Sequence, residues 1–394
     1  MQTPILIDVT RLIFRLLKGK RATGVDRVGL AYIAHYQSKA QAVLAWKQRV
    51  IVLDKERSQQ VFNALLSDVP LQSKWYWYRL LAHLSLAKID RRFHGCFFIN
   101  TGHKGLESKG YADTLKKMGV RPIYFVHDLI PLTHPEYCRP DEQLKHEQRM
   151  LRMLNDAEGL IVNSQYTKDE TLLFAQRQKI ACPPIAVAWL ASKFQSHQTE
   201  AISPTVESIA PYFIALSTIE PRKNHLLLLH IWRKMVELYG CDAVPKLILI
   251  GQRGWECEQV IDLLERCDQL KGVVIEKNHC TDNELQSLLS SARALLFPSF
   301  VEGFGMPLVE ALCSGIPVIA SDIAVFREIG QNIPEFADEN DGPAWIRLVQ
   351  AYAQTDSSLR DQQLMRMRDY QPWLWADHFK VVDHFLEQLS HASE

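Results

Sequence analysis

The stretch Phe297-Pro-Ser-Phe-Val-Glu-Gly-Phe-Gly-Met-Pro-Leu-Val-Glu-Ala-Leu (297–312) decides how this chain is read. Ala294-Leu-Leu-Phe reads as a short buried strand that ends at Pro298. A loop with glycines at 303 and 305 follows, and a helix starts just beyond it. Pro307 suits the first helical position, where a missing N–H is no loss, and Gly315 with Pro317 marks the helix end. This places Glu302 in the loop and Glu310 on the first helical turn. Gly303 and Gly305 let backbone amides around Phe304 approach a ligand closely. A helix N-terminus favours anions such as phosphate, and a carboxylate accepts paired hydrogen bonds from vicinal hydroxyls. One strand–loop–helix element thus offers phosphate-facing amides and two hydroxyl-reading carboxylates, a set that suits a nucleotide-sugar. A dinucleotide fingerprint would need a third glycine, and position 308 is Leu.

Outward from this element, short apolar runs alternate with helical stretches. Strands are expected at Ile5–Val9, Val50–Leu53, Phe97–Asn100, Ile123–His127, Gly159–Val162 and Ile185–Trp189. A second series falls at Tyr212–Ser217, Lys246–Ile250, Val273–Glu276, Ala294–Phe297 and Val318–Ser321. Helices such as Glu142–Leu154, His225–Leu238 and Asn283–Ala292 lie between them. The alternation predicts an α/β chain of parallel sheets with helices on both faces. The polar run Ser192–Pro211 lacks periodicity and reads as a linker, after which the strand pattern restarts. Two doubly wound domains are therefore expected, with ligands beyond the carboxyl ends of the strands.

Composition narrows the function. At 394 residues, two domains are the default. Lys+Arg and Asp+Glu stand at 45 each, so no global field favours nucleic acid. The eight cysteines are scattered without a Cys-x-x-Cys pair and read as reduced core thiols, not a metal or disulfide framework. No apolar run reaches the roughly 18–20 residues of a membrane span, and Pro4-Ile-Leu-Ile-Asp-Val reads as a first strand, not a leader.

Three further motifs sit at expected strand ends. In Ser217-Thr-Ile-Glu-Pro-Arg-Lys-Asn-His (217–225), Arg222 and Lys223 supply fixed cations for a departing diphosphate. In Val126-His-Asp-Leu-Ile-Pro, His127 can hydrogen-bond a sugar hydroxyl or move a proton. In Ala22-Thr-Gly-Val-Asp-Arg-Val, Gly24 can present amides to a phosphate or acceptor. Two basic segments read as contact with a membrane surface: Arg11, Arg15, Lys18, Lys20 and Arg21, and the aromatic-rich Lys74-Trp-Tyr-Trp-Tyr-Arg with Lys88, Arg91 and Arg92. A solvated turn and a packed aromatic helix are the competing readings.

These motifs, in this order, resemble the retaining GT-B glycosyltransferases of family GT4, which includes many bacterial mannosyltransferases. The likeness is densest from Tyr212 to Gly330 and thinner through Thr-Gly-Val-Asp-Arg-Val, His-Asp-Leu-Ile-Pro and Ile-Val-Asn-Ser. The resemblance implies a GT-B fold, two Rossmann-like domains facing a central cleft. Its acceptor domain would span 1–195, completed by a helix in 371–394 that crosses back, and its donor domain 196–370. Glu302 and His127 would meet the donor sugar, Glu310 the ribose, Gly303, Phe304 and Gly305 the sugar and diphosphate, and Lys223 the diphosphate. Many members carry a Gly-Arg pair whose Arg falls at position 217. Here that residue is Ser217, and Arg222 is expected to substitute.

The expected activity is retaining transfer of a hexosyl unit from a nucleoside-diphosphate sugar to a hydroxyl of a bacterial polysaccharide or lipid-linked oligosaccharide. No cofactor and no metal are called for, and GDP-mannose is the expected donor, with other hexosyl donors open. The expected location is cytoplasmic, at the inner face of the plasma membrane. A nucleotide-sugar epimerase or hydrolase of the same fold, and a silent scaffold in a polysaccharide assembly complex, are the alternatives.

Overall fold

A computed structural model describes residues 5–19, 22–46, 49–67, 91–192 and 211–392. The segment 74–79 with Lys88, the pair Lys20 and Arg21, and the linker 193–210 lie outside the described residues. The chain divides into two compact units. One comprises Met1–Thr133, Pro140–Leu190 and Trp375–Glu394, and the other His134–Arg139 and Ala191–Leu374.

The N-terminal unit is built on seven strands: β1 (Ile5–Asp8), β2 (Ala40–Trp46), β3 (Arg49–Val52), β4 (Phe97–Asn100), β5 (Arg121–Val126), β6 (Gly159–Val162) and β7 (Ile185–Val187). Their order across the sheet is β3-β2-β1-β4-β5-β6-β7. All neighbours pair in parallel except β2 and β3, which are antiparallel. That edge corrects the expectation of a wholly parallel sheet. Two residues separate β2 from β3, enough for a hairpin and far too few for the crossover that parallel strands need. The strand β2 had no expectation at all, because its Ala-Gln-Ala-Val-Leu-Ala-Trp lacks both β-branched density and flanking turn residues.

The C-terminal unit holds a six-stranded sheet, all parallel: β8 (Tyr212–Leu216), β9 (Lys246–Ile250), β10 (Val274–Lys277), β11 (Leu295–Phe297), β12 (Val318–Ser321) and β13 (Glu335–Ala337). Their order is β10-β9-β8-β11-β12-β13. Strands such as Leu-Ile-Leu-Ile are apolar on both faces because helices cover both, and β8, β9, β11 and β12 are buried nearly throughout. Trp232 and Trp345 fill this core, each fully buried. Within the same unit the Tyr137 ring stacks on Phe300 at 5.1 Å, which anchors the 134–139 segment.

The last helix, Trp375–His391, packs into the N-terminal unit, as a helix crossing back requires. His378 is held between the Trp189 carbonyl (2.9 Å) and the Tyr32 hydroxyl (3.0 Å). Tyr36 donates to Asp383 at 2.8 Å, and Arg121 to the Leu389 carbonyl at 2.6 Å. Gly159 opens β6 directly beneath this helix. A Cβ there would stand 2.7 Å from Phe385 and 2.9 Å from Leu389. Gly159→Val should therefore lower unfolding free energy by about 1–3 kcal/mol, the usual cost of overpacking. A urea midpoint unchanged from the parent chain would show that the helix does not press on this strand.

Candidate functional site

In each sheet the strand order reverses once, and ligands of open α/β sheets gather at that point. In the C-terminal unit the reversal lies between β8 and β11. Both strands end there, and their following loops carry the two motifs that stood out in the sequence. After β8 come Ser217–Glu220, a tight turn at Pro221–Lys223 and the helix His225–Tyr239. Asn224 adopts a left-handed conformation and caps that helix. After β11 comes the loop to Gly305 and the helix Met306–Cys313. The Phe300 amide donates to the Arg222 carbonyl at 2.9 Å and ties the loops together.

Side chains complete the join. Arg222 donates to Glu302 at 2.7 Å, and its Nε meets Glu220 at 2.7 Å. Lys223 bonds the other oxygen of Glu302, which also accepts from Ser299 at 3.0 Å. Glu220, Lys223 and Glu302 are all buried, and Arg222 is the most accessible of the four, with its side chain 22% exposed. Two cations and two carboxylates thus form a compact, internally neutral cluster. Burial alone would push the Glu302 carboxyl up, but Arg222 and Lys223 overcome it and hold it at about 2. Burial raises Glu220 against the opposing pull of Arg222 and Lys223. Burial and the adjacent guanidinium both draw Lys223 below its usual range, and Glu302 opposes them.

The rest of the 297–312 element departs from its reading in one detail. Glu310 is the fifth residue of the Met306–Cys313 helix and lies on its second turn, with Pro307 second rather than first. Glu310 is buried, as are Gly303 and Phe304. Gly305 holds φ +111°, and a Cβ there would come within 2.8 Å of Phe326, so glycine is required twice over. The N-cap of this helix is Gly305, which offers no side chain to cap it. Its end follows the reading: Gly315 is left-handed and Ile316 N bonds back to Ala311 O. Ser217, where many GT4 members carry arginine, lies 3.3 Å from His225.

In the N-terminal unit the reversal lies between β1 and β4. A cavity of about 340 Å³ opens there, lined by Arg11, His103, Lys104, His127, His146 and Arg149 among others. His127 follows β5, is buried, and donates from Nε2 to the Thr101 carbonyl at 2.7 Å. Burial keeps it below its usual range, so it stays neutral near pH 7. Beneath it, Asp8 at the end of β1 accepts from Tyr111 (2.6 Å), Thr10 N (2.8 Å) and Asn100 (3.3 Å). Gly24 begins the helix Gly24–Tyr36, whose end is closed by a capping box between Thr23 and Asp26. Asp26 also pairs with Arg11 (2.8 Å) and Arg15 (2.6 Å). Two of the five cations read as lipid contacts therefore share one carboxylate within the fold, which lies eleven or more residues downstream.

The structure thus joins Arg222, Lys223 and Glu302, sets Gly303, Phe304, Gly305 and Glu310 on the same element, and places His127 and Gly24 in the other unit. Glu220, Ser299, His103 and His146 were not singled out. Glu220 lay inside a quoted motif, and His103 follows β4 as His127 follows β5, so the strand-end criterion covers it. His146 sits mid-helix and carries no such signal.

Residues 200–333 match the model of the glycosyl transferases group 1 family, and residues 104–171 match that of the glucosyltransferase 3-like N-terminal domain. The chain carries a group 1 glycosyl transferase domain. Its match to the serotype-specific mannosyltransferase WbdA of Escherichia coli is 29% identical over 246 residues, covering 59% of this chain and 29% of that one. The O-antigen chain mannosyltransferase B of the same species is 30% identical over 248 residues, 60% of this chain and 62% of its own length. The chain thus spans less than two thirds of either relative. Anabaena HepE, crystallised with UDP and glucose, superposes with a TM-score of 0.64 at 14% identity, covering 99% of this chain and 100% of that one. The fold is GT-B. Among the described residues no helix is long and apolar enough to cross a membrane.

The buried cluster at this group 1 domain's strand reversal has a measurable consequence. Glu302 ionises well below the ordinary value of 4.5, so its contribution is complete above about pH 4.5 and is lost as pH falls toward 2. Glu302→Ala takes the paired carboxylate from buried Lys223, while Arg222 keeps Glu220, and should cost about 3–5 kcal/mol. Unfolding titrations between about pH 5 and 2 should show a shallower acid dependence for Glu302→Gln than for the parent chain. Parallel acid profiles would mean that Glu302 is not held ionised by its neighbours.

Proposed function

We propose that this protein transfers a hexosyl unit from a nucleoside-diphosphate sugar to a hydroxyl of a bacterial glycan, with the anomeric configuration retained. The observation that carries the reading is the cluster of Arg222 and Lys223 on Glu302 at the reversal of the C-terminal sheet. It stands in the same loop system as the uncapped start of the Met306–Cys313 helix. Fixed cations and oriented amides stabilise the charge that develops on a leaving diphosphate and need little reorganisation to do so. A carboxylate has about four acceptor sites. Glu302 commits three to Lys223, Ser299 and Arg222, and the remaining one is assigned to a donor sugar hydroxyl. Glu310, one turn further on, is assigned to the ribose. Arg222 stands in for the arginine absent at position 217. The leaving phosphate oxygen takes the acceptor proton on the face from which it departs, so no separate nucleophile is needed.

The acceptor class is supported by the relative named as an O-antigen chain mannosyltransferase, and the mannosyltransferase names of both relatives favour GDP-mannose as donor. The protein cations are assigned the charge-stabilising role that a divalent metal plays in other transferases.

Incubation with a panel of nucleoside-diphosphate sugars tests the proposal. Slow release of nucleotide from one donor, accelerated by a glycan acceptor, is expected. A folded protein that neither binds nor turns over any donor would refute it, and epimer formation would replace it. Lys223→Met should lower kcat by about 10²–10³, the usual cost of one electrostatic contact to a developing anion. Glu310→Gln should weaken nucleotide binding about tenfold by calorimetry, the value of one charge-assisted hydrogen bond pair. An unchanged dissociation constant removes Glu310 from the ribose.

A further inference from the structure

His134–Arg139 is an excursion of six residues. The chain enters it from Thr133 and leaves it at Pro140, both in the N-terminal unit, yet the segment belongs to the C-terminal one. Pro135 opens a single 3-10 turn, Pro135–Tyr137. Tyr137 N donates to the His134 carbonyl at 3.1 Å, and Cys138 N to the Pro135 carbonyl at 3.0 Å. A proline at the start of such a turn has its φ already set, so the turn forms at little entropic cost. The turn stacks the Tyr137 ring on two others. His134 lies with its centroid 6.1 Å away and its plane 14° from parallel, and Phe300 at 5.1 Å and 6°. At the end of the segment the Arg139 guanidinium lies over the Trp255 ring at 4.9 Å.

Both anchors fall on loops next to the buried cations. Phe300 stands in the loop after β11, and its amide donates to the Arg222 carbonyl at 2.9 Å. Two residues further on, Glu302 accepts from Arg222 and Lys223. Trp255 stands in the loop after β9. There Gly254 N donates to the Ile219 carbonyl and Ile219 N to the Gln252 carbonyl, each at 2.9 Å. Since β9 and β11 flank β8, the segment touches both neighbours of the loop that carries Arg222 and Lys223. Tyr137 and Phe300 are each only half-buried. Truncating a ring there opens no cavity in the core, so the stack contributes little to global stability. What it restricts is the path of the Phe300 backbone, and through that the placement of Arg222 against Glu302. Arg222 is the most accessible member of the cluster and so depends most on such a restraint.

We propose that Tyr137 is a positioning residue for the transfer. Its ring holds Phe300, the Phe300 amide holds the Arg222 carbonyl, and Arg222 and Glu302 are thereby kept where a leaving diphosphate meets them. Tyr137 acts through Phe300 and is assigned no contact with the donor. The inference rests on the transferase reading above and deepens it, because the geometry of the cluster is set by a ring ten residues beyond His127 in the chain. A misplacement of about 1 Å in a group that stabilises developing charge costs about 10²-fold in rate. Binding of the intact donor is spread over many contacts and is less sensitive to the same shift.

Steady-state kinetics of the full chain, with the donor that the wild type turns over, test this. Tyr137→Ala should lower kcat about 10- to 100-fold, with the donor KM within about threefold and the urea midpoint near that of the wild type. Tyr137→Phe keeps the ring and should stay within about twofold of the wild type. Phe300→Ala should reproduce the loss, and the double variant should fall little further, as for two residues that act through one contact. An unchanged kcat in Tyr137→Ala, an equal loss in Tyr137→Phe, or losses that multiply in the double variant overturns the proposal. Should Tyr137→Ala fold poorly, Tyr137→Leu fills the space without a flat face to stack and gives the same readout. A loss of kcat that tracks the urea midpoint across both variants is a stability role and overturns it. Hydrogen exchange needs no donor. Amides 300–303 should exchange about tenfold faster in Tyr137→Ala, while those of Tyr212–Leu216 stay as in the wild type. Unchanged exchange overturns the positioning role even where kcat falls. If the wild type turns over no donor, the transferase reading has failed, and exchange alone decides whether Tyr137 holds this loop.

Discussion

A carboxylate buried between two cations organises the C-terminal unit. Glu302 belongs to the loop after β11, Arg222 and Lys223 to the loop after β8, some eighty residues earlier. Removing any one of these charges from water costs several kcal/mol, and only mutual pairing with good hydrogen bonds offsets it. The cluster therefore persists as a unit or not at all. With it are fixed the Pro221–Lys223 turn, the start of the His225–Tyr239 helix and the path of the chain into Gly305. An ion cluster of this sort is weak evidence for stability, since apolar residues would pack the same space at lower cost. Its presence fits a ligand that brings charge to it.

The two sheets put different chemistry at the same topological position. Where the C-terminal sheet reverses, ionised side chains meet. Where the N-terminal sheet reverses, three histidines that burial holds below their usual range stand with Arg11, Lys104 and Arg149, near a hydrogen-bonded Asp8. Burial raises Asp8 despite its hydrogen bonds and so reduces its tendency to carry charge.

Much of the fold was legible because its strands are short, apolar on both faces and separated by turn residues. Tyr212–Leu216, Lys246–Ile250 and Val318–Ser321 read correctly for that reason. The Ala40–Trp46 strand and Glu335–Ala337 did not, since alanines and single apolar residues carry no period. Among site residues, those that end strands could be found by position alone: His127, Lys223 and, by the same rule, His103. What could not be read was pairing. Glu302 and Lys223 stood out separately, one for hydroxyls and one for phosphate, and nothing local says that they touch. The same holds for Arg11 and Arg15, which look like an unbalanced basic run until Asp26 folds back onto them.

That pairing changes what Glu302 does. A free carboxylate in a glycine-rich loop is a reader of hydroxyls. A carboxylate that already accepts from Lys223, Arg222 and Ser299 is first a clamp, with one of about four acceptor sites left. Lys223, drawn down by burial and by Arg222, gains most when a second anion approaches, because that anion relieves both penalties at once. A diphosphate arriving beside the cluster would therefore strengthen the cation's charge as it binds, and its negative charge grows further as the glycosidic bond breaks. The cations would then interact more tightly with the departing group than with the bound donor, which is the condition for lowering a barrier rather than merely holding a substrate.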